Sequence, residues 1–516
     1  MSDISSSRLE RVPSGIAGLD TILGGGFFKG GLYIIQGTPG TGKTTLANQI
    51  CFHHIAIGGH ALYTTLLAEY HARMAQHLGS MSFFDAAKIP DQLTYISGFR
   101  PLRQEGPQGL LGLLRREIGT HGASILILDG FATAQRAAGN GQDFSEFVHQ
   151  LQGIAIAADC TMFLLTSTEG IPNTPEYTMV DGIVELSDHL TGWTTERALQ
   201  VIKFRGSGYL PGRHTFRITD DGLVVYPRIE ALLARPSRPD PGGTEKIPSG
   251  VDRLDAMLGG GLPAASTTML IGPTGVGKTT LGLQFLSRCS ESEPGLLFGF
   301  YETPARIAAK VEGVCRPLRG LIDGGVVELL WQPPTDGLLD AYGERLLEAV
   351  RRRGVKRLFI DGLGALRNAA SDPTRIGHFL DALTNELRVQ GVTTVYTLEV
   401  ADIIGPSIRA PINDLSSLAE NLILLRFIEL RSHLYRLISI LKVRDSDFDP
   451  SLYQFLTTNR GLVIETSFDS AEAITAGLPL WPHGGPGAGN APVPTETPSP
   501  GEGPDSEPQP GAERGA

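Results

Sequence analysis

Two stretches of this chain have the residue types and the spacing of a loop that binds phosphate. Each has a Gly, four further residues and then Gly-Lys-Thr, and each follows an apolar run that predicts a buried strand. The backbone N–H groups of such a loop face an anion, the Lys reaches the outer phosphates, and the Thr hydroxyl can ligate Mg²⁺. A helix is expected to begin at Thr44 and at Thr279, which adds its positive dipole end.

The two loops predict a nucleoside triphosphate site in each half of the chain. The binding residues expected in the first half are Gly37, Thr38, Pro39, Gly40, Thr41, Gly42, Lys43, Thr44 and Thr45. Those expected in the second half are Gly272, Pro273, Thr274, Gly275, Val276, Gly277, Lys278, Thr279 and Thr280.

The likeness between the halves extends far beyond the loops. Val-Pro-Ser-Gly at 12–15 returns as Ile-Pro-Ser-Gly at 247–250, and three glycines at 24–26 return at 259–261. The marks keep their order, and one unit spans nearly half of the chain, so the chain is a duplicated domain and not a short solenoid repeat.

Apolar strands alternate with helical patterns in each half, which predicts an α/β fold with mostly parallel sheets. Ligands of such sheets lie beyond the carboxyl ends of the strands, where both loops would be. We expect a first domain at 8–231, a linker rich in Pro, Arg and Gly at 232–245, and a second domain at 246–470. The tail at 482–516 is dominated by Pro, Gly, Ser, Thr and Glu, which predicts disorder. It would serve either as a solubilising tail or as a tether for a partner.

The formal net charge of -11 argues against a nonspecific nucleic-acid binder, because phosphate contacts need clustered Lys and Arg. No run of about 18 uncharged apolar residues predicts a membrane span. The four Cys residues are scattered and form no paired motif, so we expect a reduced, cytoplasmic setting.

Asp129 and Asp361 each end an apolar strand downstream of a loop. A carboxylate at that point can hold Mg²⁺ beside the phosphates, together with the hydroxyls of Thr44 and Thr279. We therefore predict one metal site in each half.

ATP hydrolysis also needs a group that orients water or accepts its proton. Equal spacing from the loops matches Leu66-Leu67 in the first half with Tyr301-Glu302 in the second. The second half therefore retains one carboxylate at this strand end. The first half has none unless Glu69 shifts into place. Glu302 is the expected catalytic carboxylate, and Lys43 and Lys278 are expected to act on the phosphates.

Two pairs of cations recur near the end of each half, at spacing i, i+2 in strand-like runs. These are Lys203 with Arg205 and Lys442 with Arg444. Both members of a pair then lie on one face, from which they can stabilise phosphate charge on a neighbouring subunit. The alternative is a solvated strand edge. Similarly, Thr166, Ser167 and Thr397 are either γ-phosphate sensors or ordinary strand-end caps.

These marks together resemble the KaiC group of RecA-like ATPases. The likeness rests on Pro-Ser-Gly, Leu-Asp and Gly-Gly-Gly before each loop, and on later stretches at 415–426, 428–431 and 442–446. It covers about residues 8–470 and implies ATP and Mg²⁺ as ligands. It also implies a two-tiered homohexamer with ATP at the subunit interfaces.

The family's second domain transfers phosphate to a neighbouring subunit's Ser-Thr pair, which matches Ser416 and Ser417 here. The family has two consecutive Glu at the catalytic strand end of each domain, and the first is usually credited as the general base. This chain departs from that pattern in both halves, which leaves base-assisted chemistry in question and binding intact.

The sequence thus predicts a KaiC-like protein with slow ATPase activity and serine/threonine autokinase activity in the second domain, in a signalling or clock-related role. A signalling protein partner would use the outer face or the tail. The alternative is a nucleotide-gated hexameric scaffold with little catalysis. A RecA-like DNA-repair ATPase is a third reading, which the acidic charge disfavours.

Overall fold

Each half of the chain folds around a nine-stranded sheet. The computed structural model describes residues 9–66, 71–139, 141–167, 176–235, 245–335, 337–400, 418–430, 433–444, 446–459 and 461–465. Glu69, Ser416, Ser417 and the tail at 482–516 lie outside the described residues.

The described residues of the first half form eleven strands, eight α-helices and one 3₁₀ turn at Ala86–Lys88. The strands are β1 (Arg11–Val12), β2 (Phe27–Phe28), β3 (Leu32–Gly37), β4 (Ala61–Thr65), β5 (Leu93–Ser97), β6 (Ile125–Asp129), β7 (Thr161–Thr166), β8 (Gly182–Thr191), β9 (Thr194–Phe204), β10 (Arg213–Thr219) and β11 (Gly222–Tyr226). The helices are α1 (Ala17–Leu23), α2 (Lys43–Ala56), α3 (His71–Leu78), α4 (Phe99–His121), α5 (Phe131–Ala138), α6 (Gly141–Ala157), α7 (Glu176–Met179) and α8 (Ile229–Leu232).

The second half repeats this order within its described residues. The strands are β12 (Lys246–Ile247), β13 (Leu262–Pro263), β14 (Thr267–Gly272), β15 (Gly295–Gly299), β16 (Val327–Trp331), β17 (Arg357–Asp361), β18 (Thr393–Glu399), β19 (Asn421–Leu430), β20 (His433–Val443), β21 (Tyr453–Thr458) and β22 (Gly461–Ile464). The helices are α9 (Asp252–Met257), α10 (Lys278–Leu286), α11 (Pro304–Val314), α12 (Arg316–Asp323), α13 (Leu339–Arg353), α14 (Leu363–Asn368) and α15 (Arg375–Val389).

The two sheets have the same strand order. The first runs β5-β4-β6-β7-β3-β8-β9-β10-β11, and the second runs β16-β15-β17-β18-β14-β19-β20-β21-β22. The first six strands of each sheet pair in parallel, and the last three continue from the sixth, β8 or β19, in antiparallel fashion. The predicted α/β class with mostly parallel sheets is confirmed.

Helices cover both faces of each sheet, so each sheet separates two apolar cores. The central strand β3 is buried along its whole length, and so is β14. Continuous apolar runs are typical of parallel strands that are covered on both faces.

The loop that follows each central strand depends on glycine. Gly42 has φ 104° and Gly277 has φ 124°, in the left-handed region that side chains with a Cβ rarely adopt. The next helix begins at Lys43 and at Lys278, one residue earlier than the sequence predicts, because these residues already have helical backbone angles.

The end of the first half packs into the second half. Ile229, at the start of α8, is fully buried in the core that α13 and α15 form on the second sheet. Gly343 of α13 admits this contact, because a Cβ added there would lie 2.7 Å from Ile229 Cγ1. A larger residue at 343 would therefore require the Ile229 side chain to shift.

Buried polar groups fix the same junction. Asp340 of α13 accepts hydrogen bonds from the backbone N–H of Ile229 at 3.1 Å and from Arg375 Nη2 at 2.9 Å. Arg375 Nε also donates to Glu230 at 2.9 Å. Burial alone would raise the pKa of Glu230, but hydrogen bonds and charge from Arg375 bring it below its ordinary value. One arginine thus holds an acid from each half.

We predict that Glu230→Gln weakens this junction by about 1–3 kcal/mol at neutral pH, because it removes a hydrogen-bonded charge pair. The pKa of Glu230 is lower in the folded protein, so its contribution is complete above the ordinary value of 4.5 and is lost as the pH falls below it. Calorimetric melting should therefore separate wild type from the variant at pH 7 and separate them less at pH 4. Glu10→Gln, which breaks an exposed pair with Lys29, is the matched control. Equal shifts for both variants would contradict the prediction.

Candidate nucleotide sites

A cavity of about 510 Å³ lies beside the second loop, at the carboxyl edge of the parallel strands. Thr274, Gly275 and the residues from Gly277 to Thr280 form one wall. The side chain of Val276 is fully buried, so this residue offers only its backbone to a ligand. Strand ends and one helix form the other wall, with Tyr301, Glu302, Lys310, Asp361, Thr397 and Glu399.

Lys278 lies inside the loop that it is expected to serve. Its Nζ donates to the carbonyl oxygens of Gly272 and Pro273, each at 2.7 Å. Burial lowers the pKa of Lys278, while the charges of Glu399 and Asp361 oppose that shift. The ammonium therefore lies within the loop itself, as expected of a P-loop lysine that contacts phosphate.

Asp361 joins two hydroxyls at the end of β17. Its Oδ2 accepts from Thr279 Oγ1 at 2.9 Å, and its Oδ1 accepts from Thr397 Oγ1 at 2.8 Å. Burial raises the pKa of Asp361, and these two hydrogen bonds oppose the rise. Thr279 and Asp361 together offer adjacent oxygen ligands, which is the ligand type that Mg²⁺ prefers.

Glu302 faces the same cavity and forms an ion pair with Lys310 of α11. Tyr301 precedes it and is more than half exposed. Its ring covers Gly362, where an added Cβ would lie 2.7 Å from Tyr301 Cε2. The resemblance gives the position of Tyr301 to a general base. A tyrosine here instead forms part of the cavity wall.

The first loop has the same frame. Lys43 Nζ donates to the carbonyls of Gly37 at 2.6 Å and Thr38 at 2.8 Å, and burial lowers its pKa. Thr38, Pro39 and Gly40 are exposed, whereas Thr41 is fully buried. The Thr41 hydroxyl donates to the Thr38 carbonyl at 2.9 Å and so braces the loop.

The acid of the first site has different partners. Tyr63 of β4 donates to Asp129 Oδ2 at 2.7 Å, whereas Thr44 Oγ1 is 3.5 Å from the same oxygen. Strand pairing puts Leu165 opposite Asp129, at the place where the second half has Thr397. A buried phenol thus replaces the threonine hydroxyl as a firm partner of the acid.

The sheet register corrects one match made from spacing. Thr65 pairs with Asp129, and Gly299 pairs with Asp361, so Leu66 is equivalent to Phe300 and not to Tyr301. Leu66 and Phe300 are both buried in the core. The connection from the loop lysine to this strand end is one residue longer in the first half, so counting on from the strand gives Ala68 as the counterpart of Glu302. Leu67, Ala68 and Glu69 lie outside the described residues.

The paired cations lie at the opposite end of the sheet from the loop of their own half. Lys203 pairs with Ile183 of β8, and Lys442 pairs with Leu422 of β19. Ile183 and Leu422 lie three residues before the strand positions that are level with Gly37 and Gly272, where the phosphate loops begin. Three residues of a strand span roughly 10 Å. The cations are therefore remote from the nucleotide site of their own half.

Within the chain, these cations contact the backbone just before β8 in the first half and just before β19 in the second. Lys203 Nζ donates to the carbonyls of Tyr177 at 2.8 Å and Thr178 at 2.9 Å, and Arg205 also donates to Thr178. Both cations thus reach one side, as the i, i+2 spacing predicts, although Arg205 follows the end of β9. Lys442 donates to the Ala419 carbonyl at 3.1 Å, and Arg444 follows the end of β20.

Lys310 and Tyr63 are the site residues that the sequence does not reveal. Lys310 is eight positions after Glu302, and its relevance depends on the direction of α11. Tyr63 looks like one more core residue of a strand. A tyrosine two positions before the strand end is a weak signal, since only the pairing of β4 with β6 brings it to Asp129.

Fold and site together define a protein with two tandem P-loop nucleotide-binding domains. The sequence profile of the KaiC ATPase family matches residues 12–230 and, a second time, residues 247–468. The chain therefore belongs to the KaiC family of ATPases, and the resemblance inferred from its motifs is confirmed.

Curated relatives extend the match over nearly the whole chain. It is 24% identical over 493 residues to the circadian clock oscillator protein KaiC of Picosynechococcus sp., covering 91% of this chain and 92% of the relative. It is 25% identical over 496 residues to the protein of the same name from Parathermosynechococcus lividus, covering 92% and 90%. The circadian clock oscillator protein KaiC 1 of Synechocystis sp. is 24% identical over 494 residues, covering 92% and 93%.

Two further observations concern the helices and the cysteines. None of the helices in the described part of the chain is long and apolar enough to cross a membrane. Cys51, Cys160, Cys289 and Cys315 are all free and buried.

We predict that Tyr63→Phe destabilises the nucleotide-free first domain by about 1.5–3 kcal/mol, because it removes a buried hydrogen bond to a carboxylate. Tyr95→Phe is the matched control, since Tyr95 OH donates to the neutral Asn48 amide at 2.8 Å. Its loss should be only about 0.5–1.5 kcal/mol. Urea unfolding of both variants without nucleotide measures the difference. A Tyr63→Phe protein as stable as wild type would contradict this reading of Asp129.

Proposed function

We propose that the protein is a KaiC-like ATPase in which the second site turns over ATP slowly and the first site mainly binds it. The observation that carries this proposal is the second cavity. There a P-loop lysine, a Thr-Asp pair and one carboxylate converge on a space of about 510 Å³. In the first site, Tyr63 donates a hydrogen bond to Asp129. Counting on from the paired strands gives Ala68 at the place of Glu302.

The residues of the second site divide the chemistry among them. Backbone N–H groups of the loop and Lys278 would bind the β- and γ-phosphates. Thr279 and Asp361 would hold Mg²⁺, which would supply charge neutralisation at the phosphates. Glu302 would orient the attacking water and accept its proton. A single carboxylate, next to a tyrosine where relatives have glutamate, supports slow rather than fast turnover.

The first site would serve assembly. Lys43 and the loop glycines retain the full phosphate-binding frame, so ATP affinity is expected. Thr44 and Asp129 are the proposed metal ligands, although their 3.5 Å separation and the Tyr63 hydrogen bond give them a looser arrangement. A site that binds without rapid turnover keeps its nucleotide, and a nucleotide at an interface holds subunits together.

We further propose that the assembly is a homohexamer with ATP at its subunit interfaces. The distance of Lys203, Arg205, Lys442 and Arg444 from the loops of their own chain supports this arrangement. In a head-to-tail ring, this end of one subunit meets the nucleotide of the next. The cations would then stabilise phosphate charge in trans.

Autokinase activity is the finer part of the proposal. Ser416 and Ser417 match the family's phosphoacceptor pair and lie outside the described residues. The proposal rests on the motif and on Lys442, which holds the backbone at Ala419 just beyond that pair. A ring would bring the pair of one subunit towards the second site of its neighbour.

The biological role would be signalling or clock-related, as the names of the relatives indicate. Trp193 is fully exposed, and Leu190 largely so, at the tip of the β8–β9 hairpin. Large exposed apolar side chains of this kind support a protein partner or a neighbouring subunit. The scaffold reading remains the second candidate, and the Tyr63–Asp129 bond is the observation that favours it.

We predict that Lys278→Ala abolishes most ATP turnover, because the loop then lacks its phosphate cation. Lys43→Ala should instead weaken ATP-dependent assembly and leave more of the turnover per assembled subunit. ADP release measures turnover, light scattering measures assembly, and intact-mass and phosphopeptide analysis with Mg·ATP measure phosphorylation.

ATP-dependent phosphate on Ser416 or Ser417, absent in Lys278→Ala, would support the autokinase. ADP without phosphate would leave an ATPase, and assembly without either product would favour the scaffold. Strong stimulation by single-stranded DNA would revive the recombinase reading.

We predict that two inactive variants complement each other in mixed rings. Lys278→Ala lacks a working second site, and the double variant Lys442→Ala, Arg444→Ala lacks the cations of the second domain. Random co-assembly would join an intact site to intact cations at roughly a quarter of the interfaces, so turnover should return to about that fraction of wild type. If rings shown to contain both variants are as inactive as each variant alone, action in trans is excluded.

A further inference from the structure

Lys310 lies in the second cavity although no phosphate-binding motif includes it. It is in α11, which begins at Pro304 after Thr303 caps the helix by accepting from the backbone N–H of Arg306 at 3.4 Å. Side chains of a helix lean towards its N-terminus. A lysine two turns into α11 therefore points back to the strand end that carries Glu302, and the two side chains form an ion pair.

We propose that Lys310 is a positioning residue for Glu302, which it holds over the nucleotide cavity in the orientation needed to act on water. This inference rests on the proposed role of Glu302 in ATP turnover. Lys310 itself touches neither phosphate nor water in this assignment. It acts by restricting the carboxylate, whose side chain is about one-third exposed and would otherwise sample several rotamers.

The charges around the cavity give Lys310 a second effect in the same direction. The cavity proposed to bind a triphosphate anion is also lined by three carboxylates, those of Glu302, Asp361 and Glu399. Lys278 alone does not balance them. The ammonium of Lys310 neutralises Glu302, which is not a proposed metal ligand, and this allows a triphosphate and Glu302 to occupy the same cavity.

The test is a double-mutant cycle in the full-length protein, with kcat and KM measured over a range of Mg·ATP concentrations up to saturation. The variants are Glu302→Gln, Lys310→Met and the combination, with Lys310→Arg as the conservative change. Arg306→Met is the matched control, because it removes one positive charge from the exposed face of the same helix. A fluorescent ATP analogue reports nucleotide affinity, and melting temperature reports folding.

Lys310→Met should lower kcat by roughly 10- to 100-fold, the cost of a misplaced catalytic group. The combined variant should be no slower than Glu302→Gln alone, because Lys310 has no further target once the carboxylate is gone. Lys310→Arg should recover most of the turnover, and Arg306→Met should match wild type.

Other results would overturn the inference in distinguishable ways. If Glu302→Gln is slow while Lys310→Met turns over ATP like wild type, or faster, the positioning role fails and the proposed function stands. Additive losses in the combined variant, or a rise in KM without a fall in kcat, would make Lys310 an independent phosphate-binding cation. If Glu302→Gln itself retains wild-type turnover, the proposed role of Glu302 fails, and the role of Lys310 fails with it.

Discussion

The parallel pairing of buried strands is the constraint on which both sites depend. Six adjacent strands of each sheet run in one direction, so their carboxyl ends meet at one edge. The phosphate loop, the strand-end acid and the second-half carboxylate come from three different strands, yet this geometry brings them together. Helices on both faces bury the strands and leave that edge open. The glycines at the edge then let the backbone curl into a loop that presents N–H groups to an anion.

The duplication preserved this frame and altered the side chains that it presents. Both halves have the same strand order, the same left-handed glycine before the helix and a lysine held by loop carbonyls. Asp361, however, receives two threonine hydroxyls, whereas Asp129 receives a buried phenol. Packing explains why the loop frame was kept while the strand-end side chains changed. The frame is a buried hydrogen-bonded network that tolerates little change, whereas a strand-end side chain can be exchanged with only local consequences.

The two ends of each sheet have different partners. In the second half, the loop end faces a cavity within the chain. The other end carries paired cations, and those of the first half brace the backbone near Tyr177 and Thr178. The junction between halves adds a further restraint, because Asp340 and Arg375 fix the end of the first half against α13 and α15.

The sequence by itself determined the repeated phosphate loops, the acids that end β6 and β17, the α/β class and the family. These follow from local patterns, because a glycine-rich loop and a buried strand need particular residues at fixed spacing. Only the tertiary structure decided which side chains meet. It shifted the match of the catalytic strand by one residue, so that Leu66 is a core residue equivalent to Phe300. It also brought Tyr63 to Asp129 and Lys310 to Glu302. The physical reason is that such contacts depend on strand order, register and helix direction. These arise from packing over the whole domain and are not encoded in the local sequence around each residue.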